Sequence, residues 1–169
     1  MDIPADQLEV YTQFGIAAEM AQCLEIDASN LALDYIAAFV NTDEITSELA
    51  EWFRAINEDL NRKTLGQLLR AVKRFATYGD EILETMDEAL IKRNYLMHRF
   101  FPFHNFALFS VEGRKEMIAE LHEIQKKLTA AHWMLTAMGD GLLAVTGQSR
   151  GDQEGLRERL LARGRRVEL

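Results

Sequence analysis

Three residues within six positions, Arg93, Asn94 and His98, carry the clearest chemistry in this sequence. An arginine is charged at every physiological pH and presents a fork of N–H donors matched to phosphate oxygens. A histidine gives and takes protons near neutral pH. Asn94 and His98 are four residues apart, which makes them neighbours on a helix, so the amide could orient the imidazole. Together the three suit cleavage of a phosphodiester by an internal 2′-hydroxyl. The histidine would move the protons and the arginine would stabilise the charged phosphorane. That chemistry calls for no metal and no cofactor.

The spacing predicts a helix from Glu81 to about Phe101, opened by the Gly79-Asp80 break and ended by Pro102. On a wheel of about 100° per residue with Leu83 at zero, Ile82, Met86, Ala89, Leu90, Met97, Phe100 and Phe101 fall between roughly 240° and 360°. Arg93 falls at about 280°, inside this apolar arc, with Asn94 and His98 at about 20° and 60° on its edge. A buried guanidinium costs several kcal/mol unless it is paired or reaches water. Such a break in local consistency is expected at functional sites. Two readings stay open. Either the motif is catalytic, or Arg93 pairs with a carboxylate of a neighbouring helix, such as Glu25 or Asp34, and Asn94 and His98 are satisfied boundary residues.

Charge is uneven along the chain. Net charge is −8, which disfavours a protein coated for bulk nucleic-acid binding. Residues 1–90 hold eighteen acids and six bases, whereas Lys92 to Lys115 holds five bases and one acid, Glu112. Lys92, Arg99 and His104 are therefore candidate substrate-binding residues around the motif, although a solvated helix face accounts for the bases equally well. The single cysteine, Cys23, allows neither an intrachain disulfide nor a cysteine-based zinc site and suits a reducing compartment. The acidic start, Met-Asp-Ile-Pro-Ala-Asp, does not read as a signal peptide, and no apolar run reaches the length of a membrane span. A cytoplasmic protein that does not enter membranes is expected.

The other elements read as helices. Phe14, Ala17, Met20, Ala21, Leu24, Ala28, Leu31 and Tyr35 recur at helical spacing in a first long helix from about Asp6 to Val40. Thr42 is placed to cap a second, with Ile45, Leu49, Trp52, Phe53 and Ile56 as its stripe, broken at Asn61-Arg62-Lys63. Thr64-Leu-Gly-Gln67 reads as a capping box that opens a short helix. Phe106 to Val111 is the one short apolar run outside a helix, and the stretch after Pro102 reads as a loop. Ser110 caps a last long helix whose stripe is Met117, Leu121, Ile124, Leu128, Ala131 and Leu135, ending near Gly139 or running on to Gly147. Residues 148–169 are polar and arginine-rich and read as a peripheral tail with a short helical pattern. The expectation is an all-α protein: an antiparallel four-helix-bundle-like domain over 1–147 with a short C-terminal helical tail over 148–169.

Arg93-Asn94-Tyr95-Leu96-Met97-His98 resembles the signature of the HEPN superfamily (higher eukaryotes and prokaryotes nucleotide-binding domain). In that family an arginine, commonly followed directly by a polar residue such as asparagine, is separated from a histidine by four to six intervening residues. The resemblance is close over residues 90–101 and loose over 5–140. It implies an all-α HEPN domain and a metal-independent endoribonuclease of the toxin–antitoxin or phage-defence kind. Arg93 and His98 would be catalytic, with Asn94 positioning them. It implies RNA as substrate, a homodimer with two motifs facing one cleft, and an antitoxin or other partner protein. Some members only bind or scaffold, so a non-catalytic dimeric bundle acting as a protein-interaction or nucleotide-binding module is the alternative. The toxin subgroup continues His-x-Tyr, whereas this chain has His98-Arg99-Phe100, which speaks against modification of a tyrosine there. The chain also resembles a group of bacterial helical proteins with Thr-Leu-Gly upstream of Arg-Asn-x-Leu-x-His-x-Phe-Phe. Geometry adds a hint of its own: residues five apart on one helix point about 140° from each other, so two crossing helices converge an arginine and a histidine better than one.

Phe100, Phe101, Phe103, Phe106 and Phe109 could stack on exposed bases, fill a dimer interface or staple a loop to the core. His104 reads as a second proton carrier or as a solvated loop residue, and Asp87 as a solvated acid or an orienting partner for His98. His122 and His132, ten apart on one helix, make a poor chelate. Trp52 and Trp133 read most simply as core residues.

Overall fold

A computed structural model describes residues 3–38 and 46–163 of the chain. Among these residues there are seven α-helices and no strand. They are α1 (Ala5–Ala38), α2 (Ser47–Asn61), α3 (Leu65–Val72), α4 (Asp80–His98), α5 (Phe100–Phe103), α6 (Val111–Thr146) and α7 (Arg150–Arg163), with a 3-10 turn over Ala107–Phe109. No helix among the described residues is long and apolar enough to cross a membrane.

The stripes read from the sequence are the buried faces of the two long helices. Ala17, Ala21, Leu24, Ala28 and Leu31 are buried along α1, and Met117, Leu121, Ile124, Leu128, Ala131 and Leu135 along α6. Most of their stability comes from this burial, since a helix of middling propensity gains little by itself. The chain divides into two compact units, and the division does not fall at 147/148. One is Met1–Leu24 with Tyr78–Met134, the other Glu25–Thr77 with Leu135–Leu169. Both α1 and α6 contribute to each.

In the first unit, Ser110 caps α6 by accepting the Gly113 N–H at 3.0 Å. A Cβ on Gly113 would run into the Ala107 backbone, so glycine is what lets the 3-10 turn lie against the start of α6. The α4 helix ends earlier than Pro102. The proline ring would meet the carbonyl four residues back, that of His98. The backbone breaks at Arg99 (φ −130°, ψ −17°), and Pro102 then sits in the first turn of α5, where a missing N–H costs nothing. The stretch read as a loop is thus mostly helical turn. Phe100 is fully buried, packed on Phe14 at 5.7 Å.

In the second unit, Thr46 caps α2 by accepting the Leu49 N–H at 3.1 Å. Thr42 and Ile45, the expected cap and first stripe residue, lie outside the described residues. The Thr64–Gln67 capping box forms, with Gln67 Oε1 accepting the Thr64 N–H at 2.9 Å. Phe53, Leu65 and Leu68 fill the core. Trp52 is on the surface, against expectation, as is Trp133 of the first unit, which is 64% exposed. Gly147 takes φ +67° and ends α6, as glycine does after a helix. The segment read as a peripheral tail forms α7, which packs on α2 and buries Leu156 and Leu160. Its arginine-rich composition conceals that apolar pair four residues apart.

Candidate functional site

The motif occupies the last two turns of α4. Met86, Ala89 and Leu96 anchor the helix through its buried face. Those positions centre the buried arc on roughly 220° to 300° of the wheel, lower than expected. Met97, on the far edge, is 40% exposed. Arg93 falls within that arc yet is half-buried rather than interior, and Asn94 and His98, off the arc, are exposed. The guanidinium has a local partner: Nη1 donates to Asn94 Oδ1 at 3.1 Å. The amide thus holds the arginine, where the sequence had suggested it would hold the imidazole. His98 is the last residue of α4 and Arg99 its exposed C-cap, while Lys92 is half-buried one residue before Arg93. Asp34, considered as a partner for Arg93, accepts instead from Arg157 Nη2 at 2.6 Å.

Among the described residues, the arginine that is buried is Arg114, with 8% of its surface exposed. Its Nε donates to Asp6 Oδ2 at 2.7 Å and its Nη1 to the Leu108 carbonyl at 3.0 Å. One side chain therefore ties the start of α1 and the 3-10 turn to α6. Asp6 is held below its ordinary value of 3.8, first by the hydrogen bond from Arg114. A signal for this was present: Arg114 lies three residues before Met117 on the α6 stripe, so the wheel argument made for Arg93 applies to it with more force.

His104, expected at the surface, is buried. Its Nε2 lies 2.5 Å from Glu120 Oε2, and its ring packs against Phe100 at 4.9 Å. An imidazole walled in by a phenyl ring and committed to an internal carboxylate is not placed to meet a substrate from solvent. Tyr95, inside the motif, joins this group. Burial first, and then the Glu120 carboxylate beside it, push its phenol up to about 12. Glu120 and Tyr95 were not singled out in the sequence, because nothing local marks a glutamate on α6 as the partner of a histidine sixteen residues earlier.

The connector carries three surface phenylalanines, Phe103 at 73%, Phe106 at 82% and Phe109 at 81% exposure. They recur every third residue along consecutive turns, beginning five residues after His98. Among the described residues, no group of three or more His, Cys, Asp or Glu side chains is gathered closely enough to hold a metal ion.

The motif thus offers a positioned guanidinium and an accessible imidazole at one helix end, able to contact an anionic substrate and to exchange protons with it. Comparison of the chain with protein-family models, with curated proteins and with solved structures gave no match.

Proposed function

We propose that this chain is a HEPN-like, metal-independent endoribonuclease of the toxin or phage-defence kind, working in the cytoplasm as a two-fold homodimer with a four-helix-bundle HEPN core. The observation that carries the reading is the Arg93–Asn94 hydrogen bond at 3.1 Å beside an exposed His98. The amide restrains the guanidinium, and the charge and forked donors of a guanidinium match a phosphate. His98 takes the proton of a ribose 2′-hydroxyl, whose oxygen attacks the adjacent phosphorus. Arg93 stabilises the charge on the phosphorane. The P–O5′ bond breaks, the leaving oxygen receives a proton, and a 2′,3′-cyclic phosphate and a 5′-hydroxyl result. Arg93 and His98 point about 140° apart on α4. A composite site, with arginine from one copy and histidine from another, brings them to one phosphate.

The test is cleavage of single-stranded RNA in excess chelator. His98→Ala and Arg93→Ala are each expected to lose about 100-fold or more in rate. Mixing the two dead variants restores activity if the site is composite. No cleavage by the unaltered chain, or equal cleavage by His98→Ala, defeats the reading. A second reading, a non-catalytic interaction module that binds an antitoxin or other protein, draws on the exposed Phe103, Phe106 and Phe109. It takes over if RNA is untouched and a phenylalanine-to-serine triple variant abolishes partner capture.

A further inference from the structure

Folding leaves the rings of Phe103, Phe106 and Phe109 on the surface, yet the connector that carries them is well anchored. His104 Nε2 lies 2.5 Å from Glu120 Oε2, Arg114 Nη1 donates to the Leu108 carbonyl at 3.0 Å, and the Ala107 backbone lies against Gly113. The residues between the rings are thus tied to α6 through side chain or backbone, while the rings stand out from it. Successive rings are one turn apart, a step of roughly 5–6 Å along the connector. Phe103 meets Tyr95 at 6.2 Å and His104 at 5.1 Å in T-shaped contacts. Among the described residues, Phe106 and Phe109 have no ring contact.

The charge around this row has one sign. From Ala89 to Val111 the chain holds no acid, although its net charge is −8. Arg99 is exposed at the head of the row, and a bond from the Phe103 N–H to the Arg99 carbonyl at 2.9 Å closes the turn between them. Among the described residues, neither the Arg99 guanidinium nor the His98 imidazole has a hydrogen-bond or ion-pair partner. The first acid beyond the row, Glu112, follows its last ring by three residues. The centre of a protein-docking face is normally a contiguous apolar patch depleted of charge. Separate rings in a row with an uncommitted cation at one end are instead the make-up of single-strand binding sites, where bases stack on aromatic side chains and cations follow the phosphates.

We propose that Phe103, Phe106 and Phe109 form a stacking row for the unpaired bases of single-stranded RNA, with Arg99 on a phosphate at the end nearest His98. The proposal deepens the nuclease reading and rests on it for the choice of RNA. Stacking needs splayed bases and accepts any of them, so the row selects single strands and not a sequence.

Fluorescence anisotropy of the full chain with a 2′-O-methyl oligoadenylate of about 12 nucleotides reads binding apart from cleavage, since that strand has no 2′-hydroxyl to attack. It is expected to bind at least tenfold more tightly than the same strand paired with its complement, or than an abasic strand of equal charge. Phe106→Leu and Phe109→Leu keep an apolar side chain at exposed positions and remove the ring face. Each is expected to weaken binding roughly fivefold or more, while Phe106→Trp keeps it. Arg99→Gln is expected to flatten the dependence of log affinity on log salt by about 0.7. No single-strand binding, equal binding of the abasic strand, unchanged affinity in both leucine variants, or an unchanged salt slope in Arg99→Gln overturns the proposal. The first three of these return the rings to the protein-docking reading. Ring-dependent binding by a chain that cuts no RNA defeats the nuclease reading and leaves the row standing. Cleavage with binding unchanged in the leucine variants defeats the row and leaves the nuclease.

Discussion

Arg93 and His98 on α4 keep their polar ends toward the surface, whereas Arg114 and His104 in the same unit are buried and committed to Asp6 and Glu120. The residue types are the same and the surroundings are opposite. A buried arginine with a carboxylate and a carbonyl on its donors serves as a fastener, since releasing it would strand a charge away from water. Arg93 is half-buried near the end of α4, and its Nη1 donates to a neutral amide oxygen. The contrast in burial sets the expectation that the Arg93 and His98 side chains contribute less to holding the first unit together than Arg114 and His104 do.

Paired denaturation measurements put the largest expected effect on this contrast. Arg114→Met should lower stability by about 3–5 kcal/mol, because Asp6 and the Leu108 carbonyl lose their donor. Arg93→Met should stay within about 1 kcal/mol. Equal losses would remove the distinction between fastener and tool. A smaller effect belongs to His104→Leu, which fills the same space but removes the imidazole from Glu120 and leaves it only the Tyr95 hydroxyl of the two. Urea unfolding should show a loss of about 1–3 kcal/mol, against no more than about 0.5 kcal/mol for His98→Leu.

Protonation sharpens the comparison further. Asp6 is held below its ordinary value when folded, so its contribution is complete above pH 3.8 and is lost as pH falls through the lower folded value. Acid unfolding of Arg114→Met should accordingly lack that part of the pH dependence, while Arg93→Met retains it. Tyr95 has the opposite sign. Its folded pKa of about 12 exceeds the ordinary 10.0, so its contribution is whole below pH 10 and is lost toward pH 12. The smallest signal is spectroscopic: phenolate absorbance should contain a late Tyr95 component, and Glu120→Gln should move it earlier.

The parts of the fold that were legible in the sequence are those with a local cause. The stripes of α1 and α6 follow from spacing, and the Ser110 cap and the Thr64–Gln67 box follow from residues three positions apart. The Arg93-Asn94…His98 motif could be located on its helix, but not its exposure, because the wheel cannot tell how far neighbouring elements extend over its edge. Arg114 and His104 escaped because their partners are remote: Asp6 is 108 positions from Arg114. The packing of α7 was hidden for the same reason, since Arg157 answers to Asp34, 123 positions earlier. Trp52 and Trp133 show the converse error, in which size and hydrophobicity were taken for burial.

The first compact unit is written in the chain as two pieces, Met1–Leu24 and Tyr78–Met134, with part of the second unit inserted between them. No single truncation can therefore isolate either one. During synthesis at about 5–20 residues per second, Asp6 is made roughly 5–20 s before Arg114. For that interval the apolar side of the nascent first helix has no completed unit to enter. Co-translational holding by a chaperone is thus a greater need for this chain than its modest length suggests, and a slow codon run just ahead of Met134 would prolong it.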